Sequence, residues 1–245
     1  MKLTFRCLPE FEPFLPRPLP ARQGLPDWLR RAPATAPSAL VDAAAIRTAK
    51  HCPPLIDAMG LGLLLPLACD LRVGPEGFAW DWPLPMPARG NATRAPIGFH
   101  EPAQAAGTPL APDDGRFLVK FMNFWAIEAP PGVSLLFGHP ANRPDLPFRT
   151  LSGLVDCDRF AAGMVHFPAL WTDPAFEGVL PAGTPVAQCV PVVREVLELA
   201  FEPLDGAALE AQLELQQALA AEPGAYRKRF RAARGGSGLA EEQEA

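Results

Sequence analysis

The sequence predicts a mainly β protein, and three observations carry that expectation: its proline content, a series of short alternating apolar segments, and the turn residues between them. Prolines number 31 among 245 residues, more than twice the ordinary share of about 5%. Each one fixes φ and removes a backbone donor, so long helices cannot dominate the chain. Short strands separated by turns, with no long helices between them, define a barrel or a sandwich. With 49% hydrophobic residues, the chain can bury a core.

Residues 1–40 are dense in Pro and Ala and are expected to form a Pro-rich N-terminal arm. Within it, "LPDWLRRAP" is an amphipathic island whose Leu25, Trp28 and Leu29 can anchor the arm. A β-rich core domain is expected over 41–203. There, Pro53 and Pro54 suit the first turn of a short helix on which Leu55, Ala58 and Met59 share a face, before "LLLPLACDLRV" turns to strand. "GFAWDWPL" alternates Phe78, Trp80 and Trp82 against Ala79 and Asp81, the period of a half-buried strand. Residues 115–140 read as two strands that reverse at Pro130, Pro131 and Gly132. Further strands are expected at "SGLVDCD", "MVHFPALW", "FEGVLPAG" and "TPVAQCVPVV". Past Pro203 the pattern changes to a C-terminal helical segment, 204–234. Asp205 is placed to cap it, and Leu209, Leu213 and Leu219 form an apolar stripe to pack on the body. The helix should end near Pro223 and Gly224, and 235–245 should be a disordered tail.

Charge and cysteine usage exclude several classes. A net charge of −5 supplies no basic field for a nucleic-acid backbone, and only "YRKRFRAAR" runs against it. The N-terminus lacks an apolar h-region and a cleavage site, and the apolar stretch at 59–69 is interrupted by Pro66 and too short for a bilayer. A cytoplasmic protein with neither nucleic-acid nor membrane partners is the expectation. Cys7, Cys52, Cys69, Cys157 and Cys189 are odd in number and form no C-x-x-C pair, so reduced thiols are expected rather than a disulfide framework or a zinc ribbon.

Candidate site residues concentrate in "NRPDLPFRTLSGLVDCD", 142–158. Asp156 and Asp158 follow a short apolar strand at a spacing of two, which puts both carboxylates on one face. They can hold a proton or a cation as a catalytic pair, or accept local hydrogen bonds at a strand end. If they share a site, Asp156, next to the buried Leu154–Val155 step, should be the more shielded. Asn142 and Arg143 sit in a proline-stiffened loop, where Arg143 can grip an anion bidentately or pair with Asp145. Arg149 and His100 complete the ligand-binding candidates. The four histidines show no metal-ligand spacing, although His100, Glu101 and His166 could meet as a triad on strands. Cys157 and Cys189 have no neighbouring base to activate them. No motif names a cofactor.

Two resemblances bear on these residues. "LPDWLRRAP" with "AKHCPPLIDAMGLGLLLPLACDLRV", and "NRPDLPFRTLSGLVDCDRF" with "GTPVAQCVPVVRE", resemble an uncharacterised family of phage and bacterial proteins, a domain of unknown function, over roughly 25–230. "GLVDCD" followed by "GTPVAQCV", behind a "PPG" turn, is similar to the β-clip fold of deoxyuridine triphosphatases. That second resemblance implies a β-clip core in which Asp156 activates a water. Here, however, "RTLSGL" runs straight into Val155 and Asp156, without the hairpin that would hold a uracil. Two function classes follow. The first is a small-molecule-binding protein, either a binder or an enzyme acting on an anionic small molecule, with its site at 142–158. The second is a non-enzymatic interaction or structural protein, phage-related, in which these residues brace loops. Convergence of Arg143, Asp156 and His100 on one pocket separates the two.

Overall fold

In the computed structural model, residues 1–40, 44–90, 93–111 and 117–233 are described, and their strands form several small antiparallel sheets. The expected tail, 235–245, lies outside the described residues. The chain divides into two units, Met1–Glu195 and Val196–Ala245.

The first unit is organised around two sheets. One runs Gly153–Val155, Val133–Gly138, Pro185–Val193, Leu63–Pro66 and Leu19–Pro20; the other runs Phe148–Thr150, Phe167–Trp171, Phe117–Phe121 and Ile97–Phe99. Alternate side chains of each enter a single core: Leu135, Phe137, Ala187 and Cys189 from the first sheet, and Val119, Phe121, Phe167, Ala169 and Trp171 from the second. Phe137 meets Phe167 across it, ring centroids 5.4 Å apart. The Thr150 hydroxyl also donates to the Val186 carbonyl, joining the two sheets. Burial of each large apolar side chain contributes about 1.5–3 kcal/mol, which offsets the weak propensities of three-residue strands.

Two differences from the sequence expectation have physical causes. "GFAWDWPL" pairs only over Gly77–Ala79; Trp82 leaves the ladder, donates its indole N–H to the Arg94 carbonyl at 2.9 Å and packs on Phe124. The turn at Pro130, Pro131 and Gly132 forms, with Val133 N–H donating to Pro130 O at 3.2 Å and Gly132 at φ 81°, a Pro-Gly type II pattern. It does not make a hairpin: Ala126–Glu128 pairs with Thr4–Arg6, whereas Val133–Gly138 joins the five-stranded sheet. The turn passes the chain from one sheet to another.

Residues 1–40 are threaded into this unit. Thr4–Arg6 and Leu19–Pro20 supply strands, and Phe11, Leu15 and Ala21 are buried. Their proline content obscured the apolar residues between the prolines. "LPDWLRRAP" does anchor, through a helical turn at Asp27–Arg31 with Leu29 buried.

The second unit contains the longest helix, Gly206–Ala221, with Asp205 at its N-cap position but no side-chain capping bond. None of its residues is buried, and Leu209, Leu213 and Leu219 are exposed. A π-helical turn follows at Tyr226–Phe230, where Glu222 accepts from Lys228 and forms an ion pair with Arg229. Among the described residues, no helix is long and apolar enough to cross a membrane.

Candidate functional site

The two aspartates are brought together, and a residue the sequence did not single out holds them. Gly153–Val155 ends in a turn in which Arg159 and Phe160 N–H donate to the Asp156 carbonyl. Arg194, one residue beyond Pro185–Val193, donates from Nη1 to Asp156 Oδ1 at 3.2 Å and to Asp158 Oδ1 at 3.0 Å, and from Nη2 to Asp158 Oδ2. The buried Ser134 hydroxyl donates to Asp156 Oδ1 at 2.6 Å. Gly132 N–H donates to Asp158 Oδ2 at 3.0 Å, and the Gly132 carbonyl accepts from Arg194 N–H at 2.9 Å. The Pro-Pro-Gly turn, the aspartate turn and the end of the longest strand are thus tied at one point.

Electrostatics follow this wiring. The hydrogen bond from Arg194 leads in holding the Asp158 carboxyl down at about 2, joined by Gly132 N–H and opposed by desolvation. The same pair raises Arg194 above its usual value. A carboxylate so strongly acidic and already engaged by donors is a poor general base near neutral pH. The expected order of shielding is reversed: the Asp158 side chain is 8% exposed and that of Asp156 is 51%. Asp156 closes the strand at the surface, and Asp158 folds back beneath the turn at Gly132.

Arg143 is engaged in a second cluster. Asn142 adopts φ 56°, the left-handed conformation that Asn tolerates in turns. The chain then directs Arg143 onto Asp145, with Nε donating to Oδ1 at 2.9 Å and Nη2 to Oδ2 at 2.8 Å. Burial pushes the Asp145 carboxyl up, but the Arg143 fork outweighs it and the net shift is downward. The Trp28 indole nitrogen is buried without a well-aligned hydrogen-bond partner, although it adds to the lowering of Asp145. His139 fixes the loop from beneath: Nε2 donates to Arg143 O at 2.9 Å, and Nδ1 accepts Thr150 N–H at 3.3 Å. That bond requires a neutral ring, and burial lowers the His139 pKa accordingly. Gln188, also missed in the sequence, is buried and fully used. It accepts Ala141 N–H at 2.8 Å and donates to Ala58 O and Leu61 O at 2.9 and 2.7 Å.

These clusters do not form one site. Asp156 and Asp158 lie at the Ser134 end of Val133–Gly138, and Asn142 and Arg143 lie beyond Gly138. Four residues at about 3.3 Å each separate those ends by roughly 13 Å. Arg149 is exposed on Phe148–Thr150 and His100 follows Ile97–Phe99, the opposite edges of the four-stranded sheet. Three strand spacings place those edges roughly 14 Å apart. His100 contacts Gln104 through Nδ1, and His166 accepts Asn123 N–H, so each histidine serves its own loop. Among the described residues, no group of three His, Cys, Asp or Glu side chains could hold a metal ion. Cys157 and Cys189 are wholly buried, and desolvation pushes their thiols up to about 11 and about 12. One crevice borders Arg143, Gln188, Met59 and Leu64, with room for little more than a water molecule.

The first unit is thus a mainly β body whose polar clusters are occupied with one another. No protein-family model matches the chain, and no curated protein matches it.

Proposed function

We propose that this is a non-enzymatic interaction protein whose contact surface lies in the segment that follows the long strand. The observation that carries this reading is the exposure of Val196, Leu197, Leu199 and Phe201, each 75–98% open to solvent within six residues. Water around that much contiguous apolar surface is unfavourable, and such patches are typical of association sites. By contrast, Arg143 is engaged by Asp145, and the carboxylates Asp156 and Asp158 both hold Arg194, which leaves Arg149, exposed on Phe148–Thr150, as the remaining cation of 142–158. In this reading Arg143, Asp156 and Asp158 brace loops.

The reading extends to fold and location. The likeness to the β-clip of deoxyuridine triphosphatases is supported by the adjacency of Gly153–Val155, Val133–Gly138 and Pro185–Val193 in one sheet. The likeness to the uncharacterised phage and bacterial family brings no activity with it. Free cysteines, three of them buried, suit a reducing compartment such as the cytoplasm.

The competing reading, an anionic small-molecule site at 142–158, is tested by thermal shift of the full chain with inorganic phosphate, pyrophosphate and citrate. We expect no stabilisation that depends on Arg143. Arg143→Lys should instead lower the melting temperature of the protein alone, because the planar fork on Asp145 is lost. Stabilisation by one of these anions that disappears in Arg143→Lys and in Asp156→Asn would return the site to a binding role.

A further inference from the structure

Building on the interaction reading, we propose that Val196–Glu202 pairs with the same segment of a second copy of this chain, antiparallel and centred on Leu199. The residues "VLELAFE" alternate, with Leu197, Leu199 and Phe201 on one side of an extended chain and Glu198, Ala200 and Glu202 on the other. This is the pattern of a half-buried strand, yet the segment joins no sheet, and none of its backbone N–H groups makes a hydrogen bond among the described residues. Unpaired donors beside an exposed apolar face make a template for another strand.

The charges select the partner and the register. In an antiparallel pair centred on Leu199, Leu197 faces Phe201, Leu199 faces Leu199, Glu198 faces Ala200 and Val196 faces Glu202. Six large apolar side chains then share one face, and no carboxylate stands opposite another. Sliding the pair by two residues in one direction sets Glu198 against Glu202, and sliding it in the other sets Glu198 against itself. A parallel pair sets both glutamates against their own copies. Like charges directly opposite destabilise a strand pair, and a slip of one residue turns apolar side chains onto the polar face. The segment is therefore self-complementary in a single register, with the two-fold symmetry of an isologous contact. A two-stranded ribbon is marginal by itself; the exposed Leu209, Leu213 and Leu219 of Gly206–Ala221 provide each copy with further apolar surface for the assembly.

The test uses the full chain at tens of micromolar, with mass measured by light scattering and the exchange of 196–202 amides followed by mass spectrometry. We expect a dimer with those amides protected. Leu199→Asp, which would place two carboxylates side by side, should weaken association by roughly tenfold or more, and Leu199→Val should preserve it. In a Cys52→Ser background, Leu199→Cys should cross-link to itself under mild oxidation, because facing residues of an antiparallel pair lie within disulfide reach. Ala200→Cys should not. A monomer whose 196–202 amides exchange at free-peptide rates would overturn the self-pairing and leave the surface open for a different partner. A monomer in which those amides are protected would overturn both the self-pairing and the proposed contact surface. A dimer unaffected by Leu199→Asp and lacking the cross-link at 199 would overturn the register and the segment's part in it.

Discussion

Residues 132–194 and residues 196–204 are neighbours in sequence and opposites in how they treat their polar and apolar groups. In the first, Arg143, Asp156 and Asp158 each end on an internal partner, and the apolar alternation is buried on the core side of two sheets. In the second, the same alternation continues with no sheet partner and no backbone N–H hydrogen bond among the described residues. What distinguishes them is pairing. An alternating segment that pairs becomes a strand, and one that does not remains a surface in need of a partner. The bracing in the first region engages Arg143, Asp156 and Asp158 internally, and the exposure in the second is what the proposed contact rests on.

The sharpest way to break the body is at Gly62. It sits at φ 69°, and a Cβ there would lie 2.0 Å from the Cys189 carbonyl oxygen. Gly62→Ala combines a left-handed conformation with a backbone clash and should cost about 4 kcal/mol in a denaturant melt. Gln188 comes next. Gln188→Met keeps the volume but strands one N–H and two carbonyls, and should cost about 3 kcal/mol by the same measurement.

Acid should loosen the body in two windows. His139 and His166 are held neutral, with pKa values lowered by burial. The unfolded chain therefore binds more protons than the folded one just below the ordinary histidine value of 6.5, and stability falls as pH drops from there through the folded values. Asp158 is depressed from 3.8 to about 2, so its contribution is intact above pH 4 or so and is lost as pH falls through that interval. A melting-temperature profile should show both declines. His139→Gln should reduce the upper one, leaving the part due to His166, and Asp158→Asn should reduce the lower one, leaving the part due to Asp145 and the other depressed carboxyls, at the expense of the contact with Arg194.

Substitutions in the second region should leave the body nearly untouched. Leu197→Asp or Phe201→Asp should change the melting free energy by less than about 0.5 kcal/mol, as expected for exposed positions, while altering association. A large loss of stability would mean that the segment is part of the body after all.

Much of this architecture was legible in the sequence because it is local. Period-two alternation located Phe167–Trp171 and Pro185–Val193, Pro53 and Pro54 marked a helix start, and the leucine spacing located Gly206–Ala221. The partners of the candidate residues were not legible, because they depend on strand register. Arg194 lies 36 residues from Asp158 and 38 from Asp156, and only the pairing of Val133 with Val193 brings it to them. Gln188 lies 130 residues from Ala58. The relative shielding of Asp156 and Asp158 was misjudged because Val155 ends the strand, and the turn that follows exposes the first carboxylate and buries the second. The Arg143–Asp145 pair was legible as one of two alternatives, since both residues share a short stiff loop. The proposed contact segment was the least visible: "VLELAFE" alternates as a strand does, and among the described residues it joins no sheet.

Hydrogen exchange of the whole chain in dilute solution addresses the contrast most directly. Slow exchange is expected for the amides of Val133–Gly138 and Pro185–Val193, near the limit set by global unfolding, and exchange at unprotected rates for 196–204, slowing as protein concentration rises. If 196–204 is as protected as the strands at the lowest concentration measurable, the segment is covered within the chain and the contrast between the two regions is wrong.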